Sequence, residues 1–100
     1  MKETGRAGYK AQLIKELEYR FPGCMIIPLD PNTIFQGVPD LLILYRTRWA
    51  MLEVKKATKA KRQPNQPYWV DFFDDMSFAA FIYPENEGEI LDALQQAFVS

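Results

Sequence analysis

One hundred residues, 48% hydrophobic and 25% charged, make one ordinary globular domain with room for a real core. The chain has no histidine and a single cysteine, Cys24, which excludes histidine general bases, Ser-His-Asp triads, HExxH zinc sites, an internal disulfide and multi-cysteine zinc. The net charge of −1 argues against a generic nucleic-acid coat, and no apolar run of membrane-spanning length or signal-peptide pattern is present, so the chain is expected inside the cell, in the cytoplasm and off the membrane.

Residues 1–6 are polar and are read as loose. Tyr9 to Arg20 reads as an amphipathic helix, because Tyr9, Leu13, Leu17 and Phe21 recur at helical spacing with Ile14 beside them. Pro22-Gly23 ends it. Residues 24–29 form a short apolar strand, with Pro28 pushing it toward an edge and Cys24 as a small core hydrophobe. Asp30-Pro31-Asn32 is a turn. Gly37 lacks a side chain and so permits close approach of another backbone.

The next stretch carries the chemistry. Leu41 to Tyr45 is a continuous apolar run, suited to a strand buried on both faces. Met51 to Lys55 alternates, so Glu53 and Lys55 share one strand face, roughly 7 Å apart at Cα. Between the runs lies Arg46-Thr47-Arg48-Trp49. A four-residue loop sets Asp40 opposite Lys55, and a two-residue loop sets it opposite Glu53. Either even count puts Asp40, Glu53 and Lys55 on one face. The four-residue loop is favoured, because a two-residue turn wants Gly, Asn or Asp where φ is positive. A three-residue loop would turn Asp40 away.

Two carboxylates facing each other repel and lose hydration, and a hard divalent cation relieves both. Mg²⁺ takes one or two carboxylates, waters and phosphate oxygens, and a neighbouring lysine stabilises developing negative charge or orients water. The competing reading makes Asp40 a turn residue and Glu53 with Lys55 a solvated strand face.

Residues 56–64 show no apolar periodicity and are read as an exposed loop. Seven of the 12 Lys and Arg fall between Arg46 and Arg62, and Glu53 is the only acid among them. Beside a metal site, Lys56, Lys59, Lys61 and Arg62 can neutralise duplex phosphates. Otherwise they are a solubilising charge run. Asn65 to Met76 reads as a second helix, with Asn65 as N-cap and Pro67 in the first turn. Trp69, Phe72, Phe73 and Met76 are its core stripe, and Asp71, Asp74 and Asp75 its wet face. Tyr68 and Trp69 can stack on bases, but core packing is the expected job. Residues 78–83 read as a strand. A last helix starts at Glu85 or Asn86, with the stripe Ile90, Leu91, Leu94 and Phe98.

Pro39-Asp40 followed by Glu53-Val54-Lys55 resembles the PD-(D/E)XK nuclease signature. The lead-in Gly37-Val38 and the later Arg62-Gln63-Pro64-Asn65-Gln66 resemble small virus-type replication-repair nucleases and their Holliday-junction-resolvase relatives, often phage-encoded. The resemblance covers most of the chain. It implies a restriction-endonuclease-like core, an α/β fold with a mixed sheet of about four strands flanked by helices, in one domain spanning residues 1–100. It implies Asp40, Glu53 and the Val54 carbonyl as ligands of Mg²⁺ or Mn²⁺, Lys55 as the catalytic lysine, and Gln66 as a supporting glutamine near the DNA. Relatives usually add a glutamate from the first helix. Here that position falls near Lys10 or Gln12, which leaves Glu16 or Glu3 as substitutes.

The expected function is a metal-dependent endonuclease acting on DNA, structure-specific for junctions, nicks or flaps, in replication, recombination or repair. A homodimer or higher oligomer is expected, in the host cytoplasm if phage-encoded. The alternatives are a non-catalytic nucleic-acid-binding module on the same scaffold and an interaction protein that never touches DNA.

Overall fold

The computed structural model describes residues 5–99. The order is α1 (Gly5–Arg20), β1 (Met25–Pro28), β2 (Leu41–Tyr45), β3 (Arg48–Val54), α2 (Gln66–Met76), β4 (Ala79–Ile82) and α3 (Glu87–Val99). Strands β1, β2 and β3 pair as an antiparallel meander, and α2 carries the chain across to β4, which pairs parallel to β3. The result is an open four-stranded mixed sheet, ordered β1-β2-β3-β4, with helices packed on it: the expected α/β class. Pro28 sits in edge strand β1, where a missing N–H costs the sheet least. No described helix is long and apolar enough to cross a membrane.

The two sheet faces differ. Leu41, Ile43, Ala50, Leu52, Val54 and Ile82 face Leu13, Leu17 and Phe21 of the α1 segment and Leu91, Leu94 and Phe98 of α3. Leu13, Leu17, Leu52 and Leu94 are fully buried there. Each such side chain contributes roughly 1.5–3 kcal/mol, so this face holds the fold together. The opposite face has a smaller cluster, Met51, Val70 and Ala79, beneath α2. Charged residues can therefore be built into that second face without dissolving the main core.

Several sequence expectations are corrected. Helix α1 begins at Gly5, so Arg6 is helical and not in a loose segment. The β2–β3 connection is a two-residue loop, because Tyr45 pairs with Arg48. Arg46 takes φ 58°, and its guanidinium lies 5.1 Å over the Tyr45 ring, a cation–π contact that favours this turn without glycine. Asn65 flanks α2 with φ 74° and makes no side-chain cap; its carbonyl instead accepts the Trp69 N–H. The buried residue of α2 is Val70, while Phe72 and Met76 are exposed. Leu44 is also exposed, so β2 is fully covered on one face only.

Candidate active site

Register puts the acidic residues together. Leu41 pairs with Leu52, so continuing the ladder by one residue sets Asp40 opposite Glu53. The Leu29 N–H donates to the Asp40 carbonyl at 2.8 Å, and the Val54 N–H donates to Asp40 Oδ2 at 2.8 Å, which fixes both the backbone and the carboxylate. Ahead of Asp40, Gly37 takes φ 92° with Asn65 and Trp69 filling the space a Cβ would need, and Phe35 packs 4.5 Å from the Trp69 ring. The loop before Asp40 is thereby locked to the start of α2.

Asp40, Glu53 and Lys55 are the buried charged residues of the described chain, with Glu53 1% exposed. All three line one cleft of about 540 Å³, together with Arg6, Gln36, Lys56, Lys61 and Gln66. The solvated-strand-face reading fails on this burial.

The Glu53 carboxyl is pushed up to about 8, first by burial, then by the Asp40 charge and carboxyl–carboxyl hydrogen bonding, against the opposing pull of Lys55 and Arg6. Its two oxygens are treated differently. Oε2 accepts the Gln66 Nε2–H at 3.0 Å and lies 3.7 Å from Lys55 Nζ. Oε1 is buried and has no donor. The Asp40 charge faces Glu53 across the strand pair, and a proton or a cation relieves the repulsion between the two carboxyls.

Gln66, the first residue of α2, ties the site together. Besides donating to Glu53, its Oε1 accepts from Lys55 Nζ at 2.8 Å and from the Gln63 N–H at 2.8 Å. Lys55 Nζ also donates to the Lys61 carbonyl at 3.1 Å. The ammonium thus meets two oxygen acceptors at hydrogen-bond distance and the Glu53 carboxylate as an ion pair.

Arg6 is the residue the sequence reading missed. Its Nε donates to the Val54 carbonyl at 3.0 Å, and its Nη2 pairs with Asp40 Oδ1. Nothing local marks this arginine. Only the packing of α1 across the sheet brings it to the cleft.

The donors fit a hard divalent ion. Asp40, Glu53 and the Val54 carbonyl offer oxygen only, which suits Mg²⁺ or Mn²⁺. The Arg6 guanidinium already stands as a cation against two of these groups, and the orphaned Glu53 Oε1 lacks a partner that a cation would supply. Among the described residues, no group of three His, Cys, Asp or Glu side chains is placed to hold a metal. Glu16 is exposed and lies outside the cleft, so it does not supply the third carboxylate; Glu3 lies outside the described residues.

The basic residues divide. Lys56 and Lys61 line the cleft. Lys59 is exposed away from its lining, and the Arg62 guanidinium lies 3.7 Å over the Phe81 ring. Gln66, expected near DNA, has its amide engaged with Glu53, Lys55 and Gln63.

No family model, curated protein or solved structure matches the chain.

Proposed function

We propose that this chain is a divalent-metal-dependent endonuclease that hydrolyses DNA phosphodiester bonds. One observation carries the proposal: two buried carboxylates, Asp40 and Glu53, meet beside a buried lysine at a cleft edged by Lys56 and Lys61. A fold gains nothing in stability from such a pair. It is the composition that phosphoryl transfer needs.

Asp40, Glu53 and the Val54 carbonyl would hold Mg²⁺ or Mn²⁺, which would supply Lewis acidity to a phosphoryl oxygen and to an attacking water. Hydrolysis joins water oxygen to phosphorus and breaks one P–O ester bond, and the leaving alkoxide takes up a proton. Lys55 lends positive charge to the phosphoryl oxygens as negative charge builds on them. Gln66 holds Lys55 and Glu53 at fixed separation. Lys56 and Lys61 hold the flanking phosphates, with Lys59 and Arg62 farther out along the duplex.

A junction, nick or flap is the proposed substrate, cut by a homodimer whose two sites face two strands. Tyr68, Phe72 and Met76, exposed at successive turns of α2, offer an apolar face for that pairing. The proposed place of work is the cytoplasm, that of the host cell if the chain is phage-encoded.

A second reading, a nucleic-acid-binding module without catalysis, draws on the lack of a third carboxylate among the described residues. A nicking assay on supercoiled and branched DNA separates the two. Cleavage with Mg²⁺ or Mn²⁺, none in chelator, and its loss in Lys55→Ala with DNA binding retained support the endonuclease. Binding without cleavage in every metal supports the second reading. No binding even at low salt removes both and leaves a protein-interaction role.

A further inference from the structure

We propose that Arg6 is a built-in cation that occupies the metal position in the metal-free protein and must leave before a divalent ion binds. The inference rests on the metal-dependent reading above and concerns how that site is regulated.

Three oxygen groups form the cradle, and Arg6 holds two of them. Its Nε–H points to the Val54 carbonyl, and its Nη2 to Asp40 Oδ1. A divalent ion would need those same oxygens at about 2.1 Å. Guanidinium and ion cannot both sit there, so the two cations are mutually exclusive.

The placement of Arg6 is not explained by helix stability. It lies in the first turn of α1, which contains no acidic residue, and a positive charge there opposes the helix dipole. Its side chain is 45% exposed, so the contact is open to solvent and can be exchanged. Asp40, by contrast, is buried and held from the other side by the Val54 N–H. The movable partner is the arginine.

Arg6 thereby keeps the carboxylates partly neutralised until metal arrives, and it raises the metal concentration needed. A charge-assisted hydrogen bond that must be broken, in a half-exposed setting, weakens metal binding about tenfold.

The test is Mn²⁺ binding to the full chain, read by electron paramagnetic resonance, for wild type, Arg6→Ala and Arg6→Gln. The glutamine keeps part of the stem in case the alanine variant folds poorly. Both variants are expected to bind Mn²⁺ about tenfold more tightly than wild type. In wild type, the Arg6 Nε–H nitrogen–proton resonance should be sharp in chelator and should broaden or vanish on adding Mg²⁺. Equal or weaker Mn²⁺ binding in the variants overturns the proposal and leaves Arg6 a structural brace or a phosphate contact. An Nε–H resonance indifferent to Mg²⁺ overturns it too. No Mn²⁺ binding by any of the three proteins overturns the metal reading itself, and this inference with it.

Discussion

Glu53→Gln should make the metal-free protein more stable while disabling the site. Glu53 is 1% exposed, and its carboxyl is raised from 4.5 to about 8. The unfolded chain binds fewer protons than the folded one between those values, so wild-type stability falls as pH rises from 4.5 toward 8. At neutral pH the gap is about 2.5 units at about 1.4 kcal/mol each, or on the order of 3 kcal/mol. Gln is neutral throughout and its NH₂ supplies a donor for the carboxylate pair. Loss of the Lys55 contact and a weaker bond from Gln66 offset about 1 kcal/mol. The net gain is about 2 kcal/mol, or roughly 10 °C in Tm for a domain of this size. Thermal melts in chelator from about pH 5 to pH 9 test this. The difference between variant and wild type should be small near pH 5 and reach its full size near pH 8. With Mg²⁺ at about 100 times its Kd, wild type should gain about 2.7 kcal/mol and the variant much less. A variant less stable than wild type at pH 8, or a difference independent of pH, would refute the buried, raised carboxyl.

Gln66→Ala removes the bridge between Glu53 and Lys55, and kcat for DNA cleavage should fall about 100-fold with KM changed little, as steady-state kinetics would show. Gly37→Ala would set a Cβ 2.8 Å from Asn65 Cβ at φ 92°, so a loss of about 2–3 kcal/mol is expected in urea melts. Replacing both Lys56 and Lys61 by alanine should weaken DNA binding and reduce the slope of log K against log salt by about 2, as fluorescence anisotropy over a salt series would measure.

The shared face of Asp40, Glu53 and Lys55 was legible because strand alternation sets it for any even loop. The loop length was not. Turn rules weigh backbone preference, and here the Arg46 side chain stacked on Tyr45 favours a left-handed residue those rules disfavour. The α2 stripe was misjudged for a related reason. Helical spacing identifies apolar faces but not which one meets the sheet: Val70 and Phe73 turn onto the sheet, Trp69 packs on Phe35, and Phe72 and Met76 face out. The place of Arg62 over the Phe81 ring was not legible, because a charge run carries no sign of an aromatic partner nineteen residues on. Arg6 was invisible for the deepest reason: its partners lie 34 and 48 residues away and become neighbours only once α1 is docked.

Crystals soaked in Mn²⁺ offer the sharpest test of the carboxylate cradle. An anomalous peak about 2.1 Å from Asp40, Glu53 and the Val54 carbonyl, with Arg6 swung clear, is the expected result. Manganese bound elsewhere, with Arg6 still paired to Asp40 and the Val54 carbonyl, would contradict a metal-dependent nuclease site.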